Sequence, residues 1–167
     1  MILFRNHQER SSLWNNLKRK PLKKAGLGFF TAFFLYVIFY LGYEIILKLW
    51  PEGNEQIRQI YNFKANVSEW RLFILLSFLI GPGEEIVWRW FLQQRWGELI
   101  GQKASFLIVT AIYSLVHLPT GNSLLILAAF ICGLFWGWLF WQNNSLLLNI
   151  VSHSLWDVFI FVLWPLI

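Results

Sequence analysis

Charged side chains are nearly absent from the C-terminal part of this chain. Residues 104–167 carry a single charged group, Asp157, and two histidines, His117 and His153, in an otherwise very apolar stretch. An ionisable side chain in hydrocarbon is costly, so it normally faces the protein interior and has a function. The pattern predicts a membrane protein with a reaction centre or transport site inside it. Three more such groups lie in an apolar run just upstream: Glu84, Glu85 and Arg89.

Apolar stretches long enough to cross a bilayer recur along the chain. Hydrophobic residues make up 57% of the sequence and charged residues 14%, against about 45–50% and about 25% in soluble domains. We predict an all-α, polytopic membrane helix bundle of about five transmembrane helices with an internal polar cavity. The predicted spans cover about residues 26–49, 70–96, 104–118, 123–141 and 146–167.

The second predicted span contains the sequence Gly81-Pro82-Gly83. Its apolar run from Arg71 to Ile80 would reach only about 15 Å, which is too short to cross a bilayer. The run must continue past the proline to about Trp96. We therefore expect one long helix that is broken or kinked at Pro82.

Basic residues crowd the N-terminal segment, directly before the first span. Glu9 is the only acid among them, so the positive-inside rule places the N-terminus in the cytoplasm. No nucleic-acid partner is expected, because no soluble module accompanies the charge. We divide the chain into a basic cytoplasmic segment, 1–24, and a single integral-membrane domain, 25–167. The basic residues are Arg5, Arg10, Lys18, Arg19, Lys20, Lys23 and Lys24.

Several features of the spans have ordinary packing interpretations. Cys132 is the only cysteine, which excludes an intrachain disulfide, and we expect it to be a small packing residue. Gly133 and Gly137 form a G-x-x-x-G pattern that predicts a close helix contact. The neighbouring tryptophans are expected to be mostly lipid-facing or interfacial anchors; they are Trp136, Trp138 and Trp141.

The polar residues of the spans come in pairs four positions apart, so each pair is expected to share one helix face. Glu84 is rotated by about 100° from Glu85 around a helix, so the two carboxylates can have different roles. Counted at about 1.5 Å per residue, the groups on all three helices reach similar depths and can meet near the middle of the membrane. The pairs are Glu85 with Arg89, Tyr113 with His117, and His153 with Asp157.

More than one chemistry fits this set. Glu85 and Arg89 can form a purely structural ion pair, which leaves Glu84 as the unpaired acid. Pro82 can restart the helix with Glu84 in its first turn, where the helix dipole keeps a carboxylate ionised and able to act as a base. One Glu, two His and one Asp can hold and deprotonate a water and polarise a carbonyl. The same set can also ligate a divalent metal.

Three ordered motifs lie within the spans: E-E-x-x-x-R at 84–89, Tyr113-x-x-x-His117 and His153-x-x-x-Asp157. They resemble the motifs of the CPBP intramembrane proteases, the family of CAAX-processing endopeptidases and bacteriocin-processing or Abi-type immunity proteins. The second family motif is an aromatic residue four before a His, and the third is H-x-x-x-N or D. The resemblance covers roughly residues 71–160.

The resemblance implies a helical bundle with an internal water-filled chamber. It implies that Glu84 and His117 bind and activate a water, which attacks a peptide carbonyl. It also implies that His153 and Asp157 stabilise the oxyanion. The supporting residues would be Glu85, Arg89 and Tyr113.

Three positions depart from the family pattern. Tyr113 stands in place of the commoner Phe, a change that is expected to be harmless. Trp90 follows the arginine where a small glycine is usual, so the local packing must differ. Asp157 stands where better-understood members have Asn, and an ionised Asp cannot donate a hydrogen bond to an oxyanion. It would have to be protonated, or instead orient His153 as a charged partner. We favour the protonated donor, because an apolar bundle that holds two other acids disfavours a further negative charge.

Together these residues predict an intramembrane endopeptidase that needs no cofactor and cleaves a membrane-associated peptide or protein. The alternatives are a metal-dependent protease using zinc and the same side chains, a non-catalytic membrane immunity or assembly protein, and a small transporter with a carboxylate proton relay. The expected location is the plasma (inner) membrane of a prokaryote, with the lipid bilayer as partner. The sequence leaves the oligomeric state open.

Overall fold

A computed structural model describes residues 7–50, 52–62 and 67–167, with side chains from Ser11 onward. Arg5 and the side chain of Arg10, both part of the predicted basic segment, lie outside this description. Every regular element in the described residues is helical. The α-helices are α1 His7–Lys18, α2 Pro21–Leu49, α3 Gly53–Asn62, α4 Glu69–Ile74, α5 Gly81–Glu85, α6 Gln94–Ile100, α7 Gln102–Leu115, α8 Ser123–Asn143 and α9 Leu146–Val158. Wider π-helical turns cover Leu75–Ile80, Ile86–Gln93 and Phe159–Leu163, and a 3-10 turn covers Leu118–Thr120.

Four segments of the described chain are long and apolar enough to cross a membrane: Pro21–Leu49, Gln102–Thr120, Ser123–Asn143 and Leu146–Leu163. They correspond to the first, third, fourth and fifth predicted spans. The second predicted span lies in a continuous helical run over 69–100. This run is longer than the hydrocarbon core, which is about 30 Å thick, but it carries more charged residues than the other four segments. The helical membrane bundle is thus confirmed.

The helical run over 69–100 is not broken at Pro82. The backbone stays in the right-handed helical region at Ile80 and Gly81 on the preceding side. The Gly81 N–H donates to the carbonyl of Leu76, five residues earlier. A wide π-helical turn therefore precedes the proline, which itself has no N–H to donate. The same type of turn follows at Ile86–Gln93, so the predicted break is replaced by two widened turns.

Helix α9 is the centre of the bundle. It packs mainly against α2 on one side and against α5 with its preceding π-helical turn on another. In the apolar window of this last segment 61% is buried, against 11% in α2, so α2 lies at the periphery. Gly28 allows the close approach of α2, because a Cβ there would lie 2.8 Å from the Cβ of Val151.

Helices α7 and α8 form an antiparallel hairpin joined by the turn at 116–122. A Cβ at Gly133 would lie 3.1 Å from the methyl of Thr110, and one at Gly137 would lie 2.8 Å from the ring of Phe106. The small residues of α8 therefore face α7, which confirms the contact predicted from the G-x-x-x-G pattern. Cys132 is buried, as predicted.

Polar side chains fix the two ends of the bundle. At one end the Asn16 side chain donates to the Asn144 carbonyl and accepts from the Leu146 N–H, across the α8–α9 turn. At the other end Gln56 of α3 accepts from the Leu124 N–H at the start of α8. The Tyr61 hydroxyl donates to the Ile160 carbonyl and accepts from the Leu166 N–H. Helix α3 is thereby held over the ends of α8 and α9.

Candidate active site

Two adjacent carboxylates on α5 have different surroundings. Glu85 is completely buried, whereas Glu84 is only half-buried. Successive residues of a helix point about 100° apart, so the two side chains leave the helix in different directions, as the sequence analysis predicted. This separation allows one carboxylate to be held by the protein while the other stays available.

Glu85 is held mainly by α9. Its Oε1 lies 2.8 Å from His153 Nδ1, and its Oε2 accepts from the Asn149 amide at 3.0 Å. The predicted pairing with Arg89 is looser, with 3.6 Å between Arg89 Nε and Glu85 Oε2. A carboxylate with short bonds to two groups of one helix fixes that helix against α5.

Arg89 is almost fully buried, with 1% of its surface exposed. Its guanidinium lies 5.1 Å from the centre of the Tyr113 ring, a cation–π contact. None of its three nitrogens forms a hydrogen bond with the part of the chain that is described. The ion pair with Glu85 and the aromatic ring are therefore its main support.

Helix α9 presents a stripe of polar residues at four-residue spacing. Asn149, His153 and Asp157 are all buried on it. His153 Nε2 lies 3.6 Å from Asp157 Oδ2, beyond hydrogen-bonding distance, and Asp157 Oδ2 is buried without a hydrogen-bond partner among the described residues. His153 thus has one close carboxylate, Glu85, and one more distant carboxylate, Asp157.

Trp136 of α8 lies flat against the His153 ring. The ring centres are 3.7 Å apart and the planes differ by 17°. Trp136 is fully buried, and its indole N–H donates to the Ser152 hydroxyl at 3.2 Å. The prediction of a lipid-facing or interfacial anchor is therefore wrong for this residue, whereas Trp138 is 48% exposed. The reason is that Trp136 lies on the side of α8 that faces α9, where it contacts His153, Ser152 and Trp156.

His117 lies two residues beyond the end of α7, in the turn that leads to Leu118–Thr120. Pro119 lacks an N–H and disfavours helical backbone before it, which explains why the helix stops. The pair with Tyr113 persists all the same. His117 Nδ1 lies 3.0 Å from the Tyr113 carbonyl, and the two rings are 5.7 Å apart. Because a carbonyl only accepts, Nδ1 carries the proton and Nε2 is left as the basic nitrogen.

Glu84 completes the cluster. Its Oε2 is buried and has no hydrogen-bond partner within the described residues. Contacts join six of the seven predicted site residues, and Glu84 adjoins them as the neighbour of Glu85 on α5; the six are Glu85, Arg89, Tyr113, His117, His153 and Asp157.

The arrangement contains a free carboxylate, a basic imidazole nitrogen and a second histidine held between carboxylates. These groups can take a proton from a water and donate hydrogen bonds to a developing negative charge. Across the described residues, no three His, Cys, Asp or Glu side chains are placed to hold a metal ion. Two described cavities, of about 350 and 360 Å³, are lined by other residues, so the internal polar cavity stays a prediction.

Sequence reasoning missed two buried residues of the site, Asn149 and Trp136. Asn149 precedes His153 by four positions and is the only Asn between 146 and 167, so extending the i,i+4 stripe by one step would have found it. Trp136 carries no comparable signal, because α8 holds two more tryptophans, Trp138 and Trp141, and nothing in the apolar pattern distinguishes Trp136 from them.

One family model matches the chain over residues 66–159, and its description is Type II CAAX prenyl endopeptidase Rce1-like. The matched region covers more than half of the chain and contains all seven predicted site residues. The chain matches no curated protein and no solved structure.

Proposed function

The chain belongs to the Rce1-like family of type II CAAX prenyl endopeptidases, and from this we propose that it is a glutamate-dependent intramembrane endopeptidase. The family implies a hydrolase that acts on peptide bonds at the membrane, and the apolar helices make the chain an integral membrane protein. The proposal adds which residues carry out the reaction. It rests on the match over 66–159, which contains every residue assigned a role below.

Glu84 is the proposed general base. A water between Glu84 and His117 would give a proton to Glu84 while its oxygen attacks the peptide carbonyl carbon. Glu84 would then return that proton to the leaving amine as the C–N bond breaks. What supports this role is the buried, unpartnered Oε2 of Glu84. The Nε2 of His117 is available to hold the water, since Nδ1 is already bonded to the Tyr113 carbonyl.

His153 and Asp157 are the proposed oxyanion donors. Glu85 lies 2.8 Å from Nδ1 of His153 and can orient the imidazole, so Asp157 is not needed for that role. Asp157 Oδ2 has no partner in the described chain and is close to Nε2 without bonding to it. Since Nδ1–H is used on Glu85, His153 would have to be the doubly protonated imidazolium to donate from Nε2, and a neutral Asp157 could then donate into the same space. Glu85 and Asn149 would position the imidazole.

We propose that the reaction needs no metal, since a carboxylate and a histidine can transfer the proton by themselves. A zinc-dependent protease that uses the same side chains is the competing proposal. Activity of the purified protein after treatment with a chelator separates the two. Activity that is lost with the chelator and restored by zinc would favour the metal-dependent enzyme.

The proposed substrate is a membrane-associated peptide or protein, and the proposed location is the plasma (inner) membrane of a prokaryote with the N-terminus in the cytoplasm. A non-catalytic immunity or assembly role is a further alternative. The basic residues that precede and begin α2 support the orientation.

The decisive experiment is a peptide-cleavage screen of the purified protein beside Glu84→Gln. Glutamine is nearly isosteric with glutamate but cannot take the proton, so cleavage should fall by about 10²–10⁴-fold. Glu44→Gln, on peripheral α2, is the matched control and should cleave normally. Near-normal cleavage by folded Glu84→Gln would reject the base assignment, and cleavage by no form would favour the non-catalytic alternative.

A further inference from the structure

An apolar cavity of about 350 Å³ lies away from the candidate active site, among α2, α3, α8 and the residues after α9. Its walls are almost entirely hydrocarbon, and no charged side chain lines it. Gly42 and Ala128 lie on opposite walls and leave it wide. Burial of apolar surface is the interaction that such walls offer to a ligand.

The cavity opens toward the bilayer. Three of its lining residues, Ile38, Ile45 and Leu127, are 37%, 56% and 49% exposed, and all belong to membrane-spanning helices. The lipid-facing surface therefore continues into the cavity without a polar boundary. Helix α3 covers the other side with the buried side chains of Ile57 and Tyr61.

The inner wall of the cavity backs the candidate active site. Trp156 lines the cavity and packs edge-to-face on Trp136 at 5.5 Å. Trp136 in turn stacks on His153. Two aromatic rings thus separate the cavity from the histidine proposed to stabilise the oxyanion.

The size of the cavity limits which apolar ligand it can hold. A helix is about 10–12 Å across with its side chains, too wide for a space at the lower end of the range of ligand pockets, roughly 300–1,000 Å³. A single slender chain fits, and bilayer lipids present such chains at the opening. We propose that this cavity binds one acyl chain of a membrane lipid, with Trp156 as its inner wall.

Photocrosslinking in vesicles tests this directly and independently of cleavage. The full-length protein is reconstituted in phosphatidylcholine that carries a diazirine near the end of one acyl chain, and adducts are mapped by mass spectrometry. Ile57 and Leu124 are buried cavity residues, 8% and 7% exposed, whereas Phe30 is 70% exposed to lipid. We expect adducts on Ile57 and Leu124, which an acyl chain can reach only from inside the cavity. Adducts on Phe30 give the reference yield for a residue that faces bulk lipid.

Filling the cavity should remove those adducts. A Cβ at Gly42 meets nothing within 4 Å, so Gly42→Leu extends into free space. Adducts on Ile57 and Leu124 should fall by about tenfold or more relative to Phe30, since each methylene kept out of an apolar pocket costs several-fold in affinity. Ala128→Leu should act likewise from the opposite wall. Gly26→Leu, also free of contacts on α2 but outside the cavity, is the matched control.

Unchanged adducts in both filled variants, or none on Ile57 and Leu124 in the unmodified protein, would overturn the proposal. Displacement of the adducts by the isoprenoid alcohol farnesol but not by lysophosphatidylcholine would also overturn it, because the cavity would then select an isoprenoid chain.

Discussion

Glu85, rather than Asp157, is the carboxylate that holds His153. The sequence pairs His153 with Asp157 and Glu85 with Arg89, because the i,i+4 rule sees only neighbours on one helix. In the structure Glu85 also reaches across to α9 and lies 2.8 Å from His153, closer than Asp157 at 3.6 Å. Pairing between helices depends on how α5 and α9 pack, which spacing along one helix cannot reveal.

Asn149 should matter to cleavage although it lies outside the three motifs. Its amide donates both to Glu85 and to the Trp136 carbonyl, so it joins the carboxylate to the helix that stacks on His153. Asn149→Ala leaves a buried carboxylate short of a donor, at a cost of about 1–3 kcal/mol. We expect kcat to fall by about tenfold or more and the melting temperature to drop.

Steady-state kinetics and thermal unfolding of Asn149→Ala measure both effects. Ser154→Ala is the control, since Ser154 also lies on α9 but donates to the Ser77 carbonyl, away from Glu85. Normal kcat and unaltered melting in Asn149→Ala would show that Glu85 does not depend on this amide.

Asp157→Asn should keep substantial activity. If Asp157 donates a hydrogen bond as a neutral acid, an amide can replace it and donates at every pH. The activity of Asp157→Asn should then extend to higher pH than that of the unmodified protein. The pH–rate profiles of both forms on one peptide check this, and a large loss at every pH would leave the orienting role standing instead.

At the scale of elements, the spans follow from the sequence but their ends and wide turns do not. Long apolar runs predict α2, α8 and α9, because a helix of this length spans the bilayer and satisfies its own backbone hydrogen bonds there. The sequence signals a distortion at Pro82, but the apolar pattern does not reveal that it takes the form of π-helical turns on both sides of α5. Pro119 predicts that the third span stops at Leu118, and the α-helix ends three residues earlier, at Leu115, because the chain enters a 3-10 turn before the proline.

Helix α3 should come away from the bundle at high pH. Burial raises the pKa of Tyr61 to about 12, from an ordinary value of 10.0. Between pH 10 and about 12, Tyr61 therefore keeps its hydroxyl proton while α3 is docked and loses it when α3 is undocked. Docking stability should be constant below about pH 10 and then fall by up to about 1.4 kcal/mol per pH unit toward 12.

Titration of the tyrosinate absorbance measures this. The absorbance that the unmodified protein gains between about pH 10 and 12 should be smaller by one phenol in Tyr61→Phe, whereas the control Tyr40→Phe, which removes an exposed phenol, should keep it. The same gain in Tyr61→Phe as in the unmodified protein would assign it to another buried tyrosine, Tyr113.

At the scale of the whole molecule, α1 and α3 should lie on opposite sides of the membrane. One crossing by α2, of 29 residues, separates them, and the basic segment before α2 predicts a cytoplasmic α1. In a Cys132→Ser background, Glu55→Cys should react with an impermeant maleimide added to intact cells. Ser12→Cys should react only after permeabilisation, and the reverse result would invert the topology.

The central position of α9 has a consequence for biogenesis. The Tyr36 hydroxyl of α2 bonds to the carbonyl of Trp164, 128 residues further along. At about 5–20 residues per second of synthesis, α2 stays in the membrane for on the order of ten seconds before its main partner exists. The helix can do so because its outward-facing side is a row of phenylalanines that lipid accepts, including Phe30 and Phe34. Glu85 has Arg89 beside it on the same helical run, but its two short bonds, to Asn149 and His153, can form only when α9 arrives. Until that last helix inserts, the nascent bundle holds a carboxylate that lacks these two donors, which makes this interval the stage at which membrane chaperones and quality-control proteases would act.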